Sequence, residues 1–221
     1  MGDASGVAVY LEVGASRTFA AAIEWPGWCR GGRSEEQALA ALQAYGERYA
    51  RVLAPASAGF QPPPDTALFE VGERLTGNAG TDFGVPGTPP AADERPLDAI
   101  ELDRQARLLE ASWAAFDRAV AAASGRELRT GPRGGGRDLA KLVAHVRDAE
   151  VAYLAKLGTK ASADPIEQRR LAIGALRARA LGEPIAQPAA TRVLWPPRYF
   201  VRRAAWHLLD HAWELEDRLL P

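Results

Sequence analysis

The sequence predicts an α+β fold: a small strand-and-helix domain over residues 1–74, a Pro/Gly-rich connection over 75–96, and an antiparallel four-helix bundle over 97–221. Short apolar runs punctuated by turn residues fill positions 6–53, which is the pattern strands leave in a sequence. Proline and glycine then concentrate between Pro55 and Pro96, in QPPPD and TGNAGTDFGVPGTPP. From Leu97 onward apolar residues recur every three to four positions behind helix-start signals, with no strand between them, so a doubly wound fold is disfavoured.

The first strands are expected at VAVYLEV (7–13) and within RTFAAAIEW (17–25), followed by a Pro-Gly turn at Pro26 and Gly27. A single helix is expected over 34–53. Ser34 stands as its N-cap with Gln37 three residues on, the spacing of a capping box, and Ala38, Leu42, Tyr45, Tyr49 and Val52 line one face. ALFEV (67–71) supplies a further strand. Proline fixes φ and removes a donor while glycine raises chain entropy, so residues 75–96 read as loop and interdomain connection.

Asp98 and Glu101 open the first bundle helix, in which Leu102, Ala106, Leu109, Trp113, Phe116 and Val120 alternate by four and three. The second helix spans about 138–157, with Leu139, Leu142, Val143, Val146 and Tyr153 facing inward. Asp164, Pro165 and Glu167 start a third, which stops at Gly182. The fourth follows WPPR, whose prolines fit only at or before a first turn, and runs to about Leu219 along an apolar stripe of Val201, Ala205, Leu208, Ala212, Leu215 and Leu219.

With 221 residues, 47% of them apolar and 25% charged, the chain can bury a core in the manner of an ordinary soluble globular protein. Its 27 basic and 28 acidic residues nearly cancel, so no cationic field gathers nucleic acid or anionic lipid, and a DNA-binding regulator is disfavoured. The start MGDASG lacks the regions of a secretion signal, and no apolar run reaches the roughly 18 to 20 residues of a membrane helix. A cytoplasmic protein is the expectation. The lone cysteine, Cys29, cannot form an intrachain disulfide.

The chain has three histidines. His207 and His211 sit four residues apart in WHLLDHAWELEDR, so at about 100° per residue both fall on one flank of the last helix. That is the spacing at which two imidazoles can hold one ion, and equally the spacing of two unrelated core or surface histidines. The third, His145, lies in KLVAHVRDAEVAYL, one residue from the inward Val146. A ligand on one bundle helix can meet a pair on another.

AHVRDAEVAYL and RRAAWHLLDHAWELEDR resemble the DinB/YfiT-like superfamily of four-helix bundles, over roughly residues 97–221. The resemblance implies a divalent metal held by one histidine of the second helix and an H-x-x-x-H pair of the last, here His145, His207 and His211. FAAAIEWPGWCRGGRSEEQALAAL is similar to the HicB-like antitoxin domain, over about residues 6–72. The antitoxin's DNA-binding tail is replaced by the bundle, so repressor function does not carry over, and a docking or dimerisation module remains.

Three neutral histidines would leave zinc or nickel with a position open to water or substrate. The DinB-like resemblance implies transferases or isomerases that use a low-molecular-weight thiol such as mycothiol on a small-molecule substrate; metal-dependent hydrolysis is the rival within that class. A non-enzymatic interaction protein, with a partner-binding HicB-like domain and a structural or metal-binding bundle, is the alternative of another class. Asp148 and Asp210, each within a turn of a ligand, are candidates to accept a ring N–H or are ordinary solvated charges. Glu214 and Arg218 read as an i,i+4 surface pair. Trp195, Phe200 and Trp206 line a pocket mouth or the core, and Arg147, Arg202 and Arg203 bind an anion or face solvent. TGPRGGGRD (130–138) lacks the phosphate-loop pattern and follows a helix, so it reads as a flexible connection, with a place at the rim of the metal pocket as the alternative. No catalytic residue is assigned, and Cys29 is disfavoured as a catalytic thiol.

Overall fold

The structure is a computed structural model that describes residues 6–130, 137–190 and 193–219. The described residues form an α+β chain with one four-stranded mixed sheet and seven α-helices. The chain divides into two compact units, Met1–Arg95 and Pro96–Pro221. No described helix is long and apolar enough to cross a membrane.

In the first unit β1 (Val7–Val13) pairs antiparallel with β2 (Thr18–Ala22), and β2 pairs antiparallel with β3 (Cys29–Gly32). The chain then passes through α1 (Glu35–Ala44) and α2 (Gly46–Leu53) and returns as β4 (Phe69–Thr76), parallel to β1, giving the order β3-β2-β1-β4. A helical crossover is what a parallel return requires. Every residue of β2 is buried, as suits an inner strand rich in alanine. Trp28 anchors this core: it is 0% exposed, donates from Nε1 to the Leu42 carbonyl at 2.8 Å, and stacks with Tyr49, whose hydroxyl donates to the Pro26 carbonyl at 2.8 Å.

Three expectations need correction here. The helix over 34–53 is two helices, broken at Tyr45 (φ −91°, ψ 0°). Directly after the break the backbone packs against the proline run: a Cβ on Gly46 would stand 2.7 Å from the Pro62 Cβ, so only glycine fits there. The strand at 67–71 starts at Phe69 and extends to Thr76, alternating buried or half-buried with exposed residues. The supposed connection over 75–96 is largely built into the first unit. It holds α3 (Ala79–Phe83), capped by Asn78, and a 3-10 turn over Ala91–Glu94. Glu12 of β1, 0% exposed, accepts from Thr81 Oγ1 (2.5 Å) and from the backbone N–H groups of Gly87 and Thr88 (both 2.9 Å). A buried carboxylate needs that many donors, and Glu12 thereby ties the segment to the sheet.

The second unit consists of α4 (Ala99–Ala123), α5 (Leu139–Leu157), α6 (Pro165–Leu181) and α7 (Pro197–Arg218) around a shared apolar core that includes Leu109, Phe116, Leu142, Val146, Leu176, Phe200 and Leu208. The start signals work as local chemistry dictates. Asp98, Asp138 and Asp164 each accept from backbone N–H groups of their helix's first turn. Gly158 and Gly182 end α5 and α6 in the left-handed region, at φ 96° and 70°. Buried residues spread around α7 well beyond the expected stripe and include Arg202, Trp206, Leu209, Trp213 and Arg218. The α6–α7 connection runs back beside the end of α5: Lys160 N–H donates to Gln187 O, Ala189 N–H to Gly158 O, and Trp195 N–H to Lys156 O. This brings Trp195 against Tyr153, with ring centroids 5.3 Å apart.

One half-buried acid of this unit lies away from the histidines. Glu150 accepts from Trp113 Nε1 at 2.6 Å, and burial pushes its carboxyl pKa above the ordinary value, the indole hydrogen bond opposing. A folded-state pKa raised above the unfolded one means that the native state binds the proton more readily, so stability is gained as pH falls through the folded value and the ionised form costs stability at neutral pH. Glu150→Gln, which keeps an acceptor for the indole, is expected to raise stability in urea unfolding at pH 7 by about 1 kcal/mol. The advantage should shrink as the pH falls and the wild-type carboxyl protonates. An equal advantage at every pH would refute the burial argument.

Candidate metal centre

α5 contributes His145 and α7 contributes His207 and His211 to one cluster. The i,i+4 pair stands on one face by helix geometry, and α5 packs along α7 so that His145 meets it. His145 Nε2 and His207 Nε2 are 3.2 Å apart. Ring centroids are separated by 5.1 Å (His145–His207), 5.0 Å (His145–His211) and 4.6 Å (His207–His211), and one ligand atom from each ring lies within 4.8 Å of the others. His207 and His211 are 6% and 5% exposed, and His145 is half-buried.

Each outward nitrogen has a different environment. Nδ1 of His211 is 2.9 Å from Glu214 Oε2, so this nitrogen is assigned the proton and Nε2 keeps a lone pair toward the cluster. Glu214 Oε1 accepts from Arg218 Nη1 at 2.9 Å. Arg218, 4% exposed, also donates from Nε to the Arg129 carbonyl (2.7 Å) and from Nη2 to the Arg137 carbonyl (2.8 Å). A continuous relay thus runs from His211 through a carboxylate and a buried guanidinium to the backbone carbonyls of Arg129 and Arg137. Nδ1 of His207 is buried with no hydrogen-bond partner among the described residues.

Burial first, and then the electrostatic influence of its neighbours, Arg203 among them, pushes the His207 pKa down to about 2. His145 is lowered as well, by burial first and then by His211 and Arg137, with Asp148 and Glu214 opposing. The hydrogen bond from His211, with Arg218 adding to it, holds the Glu214 carboxyl below its usual range against its partial burial. Two of the three rings are therefore neutral near pH 7, the form that donates a lone pair.

The donor set fits a divalent cation. Two nitrogens bound to a tetrahedral ion at about 2.0–2.1 Å stand roughly 3.3 Å apart, and His145 and His207 are 3.2 Å apart. Neutral imidazoles converging in a buried place can make only a few hydrogen bonds to one another, and a cation satisfies all three lone pairs together.

The three histidines singled out in the sequence meet. The acidic helper is Glu214, not Asp148 or Asp210; Asp148 is exposed and acts on His145 as a nearby charge. The Glu214–Arg218 pair is no surface pair, since Arg218 is buried. Spacing held the missing signal, because Glu214 is three residues beyond His211 and four before Arg218, on the same face. Phe200 belongs to the core at 1% exposure, Arg147 is exposed and Arg202 is buried. Trp206 and Tyr153 flank the Arg203 guanidinium. Cys29 is buried in β3. Most of TGPRGGGRD, residues 131–136, lies outside the described residues. No family model, curated protein or solved structure matches this chain.

Proposed function

We propose that the chain is a divalent-metal enzyme of DinB-like type, in which a four-helix bundle carries a centre of His145, His207 and His211 behind a HicB-like domain used for docking or dimerisation. The observation that carries this reading is the convergence of three imidazoles from two helices, with their ligand atoms within 4.8 Å of one another. Zinc or nickel suits three neutral nitrogen donors. When bound, such an ion supplies an open coordination position that lowers the pKa of water to about 7 or holds a thiol as thiolate. We assign the reaction to transfer or isomerisation of a small molecule with a low-molecular-weight thiol of the mycothiol type.

The chain's own residues have defined parts in this reading. Glu214 keeps the His211 proton on Nδ1 and the ring in one orientation, and Arg218 fixes Glu214. His145, the half-buried member, leaves the cluster approachable from the α5 side. The test is metal analysis of the purified chain followed by cobalt(II) reconstitution of the stripped protein. One metal per chain, with the visible bands of a four-coordinate cobalt site rich in nitrogen ligands, is the expected result. A folded chain that takes up neither zinc, nickel nor cobalt overturns the proposal.

A further inference from the structure

We infer that α7 carries a carboxylate-binding site beside the histidine cluster, formed by the guanidinium of Arg203 and the outward ring nitrogen of His207. The role this gives the bound carboxylate rests on the metal reading, whereas the binding itself needs no ion.

Arg203 and His207 are one turn apart on the same face of α7, which sets their Cβ atoms about 5–6 Å apart. Arg203 Nη1 and His207 Nδ1 are both buried, and neither has a hydrogen-bond partner among the described residues. We assign the Nε2···Nε2 contact with His145 as a hydrogen bond that His207 Nε2 accepts, which puts the His207 proton on Nδ1 and makes both orphans donors. Buried polar groups are almost always paired, and two unpaired donors one turn apart on one helix face are placed to share one acceptor.

The surroundings narrow the chemistry of that acceptor. The Arg203 Cζ stands 4.5 Å from the Trp206 ring centroid and 5.4 Å from that of Tyr153. With aromatic rings on the guanidinium, its edge N–H groups remain for a partner lying in its plane. Tyr153 also meets the His207 ring, at 5.8 Å, so one wall serves both donors. A planar, singly charged group with two acceptor oxygens matches a guanidinium edge beside one further N–H, and a carboxylate is that group. The chain already contains the closed version. On the next turn of α7, Glu214 bridges His211 Nδ1 and the Arg218 guanidinium with its two oxygens. For His207 the guanidinium is present, and a ligand carboxylate takes the place that Glu214 takes for His211. The substrate class is therefore a small organic acid whose carboxylate lies against α7 and orients His207.

The probe is propionate, titrated into metal-free and zinc-loaded full-length chain and followed by tryptophan fluorescence, with propionamide and inorganic phosphate as comparators. Saturable binding of propionate to the metal-free chain is expected, with propionamide at least tenfold weaker. Arg203→Gln should lose at least tenfold in propionate affinity and Arg203→Lys should retain part of it, because lysine keeps the charge without the fork. Propionamide binding as well as propionate, phosphate binding more tightly than propionate, or Arg203→Gln binding propionate like wild type each overturns the inference. The wild-type comparison stands even where a variant fails to fold. A chain that binds propionate but no zinc overturns the metal reading and leaves this inference standing; zinc binding without Arg203-dependent propionate binding does the reverse.

Discussion

If the three histidines hold a divalent ion, as proposed, a chain carrying His211→Ala is expected to lose that ion while keeping its fold. His211 supplies one of the three clustered imidazole donors and sits at 5% exposure, so its removal takes away a third of the donor set. Loss of a residue that merely orients a ligand typically costs about 10–100-fold in metal affinity, and loss of the ligand itself should exceed that range. The Glu214–Arg218 pair survives, because Arg218 holds Glu214 independently of the imidazole. The decisive comparison is thermal. At a metal concentration of about one hundred times the Kd, bound metal stabilises the wild-type chain by about 2.7 kcal/mol, so chelator should lower its melting temperature and leave that of His211→Ala unmoved. A variant that retains full metal content, or that responds to chelator like wild type, would place the ion elsewhere.

What sequence reading reached and what it missed follow from the range of the interactions involved. The starts at Asp98 and Asp164 and the stop at Gly182 are settled within one helical turn, and a sequence displays such signals whole. The pairing of His207 with His211 is likewise intrinsic to helix spacing, and only the arrival of His145 depends on packing. The break at Tyr45 was invisible because the contact beside it, of Gly46 with Pro62, forms only after the chain has folded back. Glu12 shows the same limit: its donors Thr81, Gly87 and Thr88 lie far along the chain, in a segment whose prolines and glycines suggested a loose connection. The Glu214–Arg218 pair failed for another reason. A spacing of four residues describes a solvated surface pair and a buried relay equally well, and the carbonyls of Arg129 and Arg137, which draw Arg218 inside, are remote in sequence.

Removing the carboxylate of that relay should weaken the site and the fold together. In Glu214→Ala the His211 ring loses the acceptor that fixes its proton on Nδ1, and metal affinity is expected to fall about 10–100-fold. Arg218 loses the carboxylate that pairs with its guanidinium but keeps two backbone carbonyls, so destabilisation should lie near the lower end of the usual cost of breaking a buried pair, about 3 kcal/mol. Glu214→Gln separates this account from a simple loss of bulk. Both carboxylate oxygens now accept, one from His211 and one from Arg218, whereas an amide offers one oxygen and one NH2 group. The glutamine can serve the imidazole or the guanidinium but not both, so a nearly isosteric change should recover only part of either property. Isothermal titration with zinc and urea unfolding of the metal-free chains read the two effects separately. A Glu214→Gln chain equal to wild type in both would show that neither oxygen is needed where the structure has it, and the carboxylate's place in the relay would have to be abandoned.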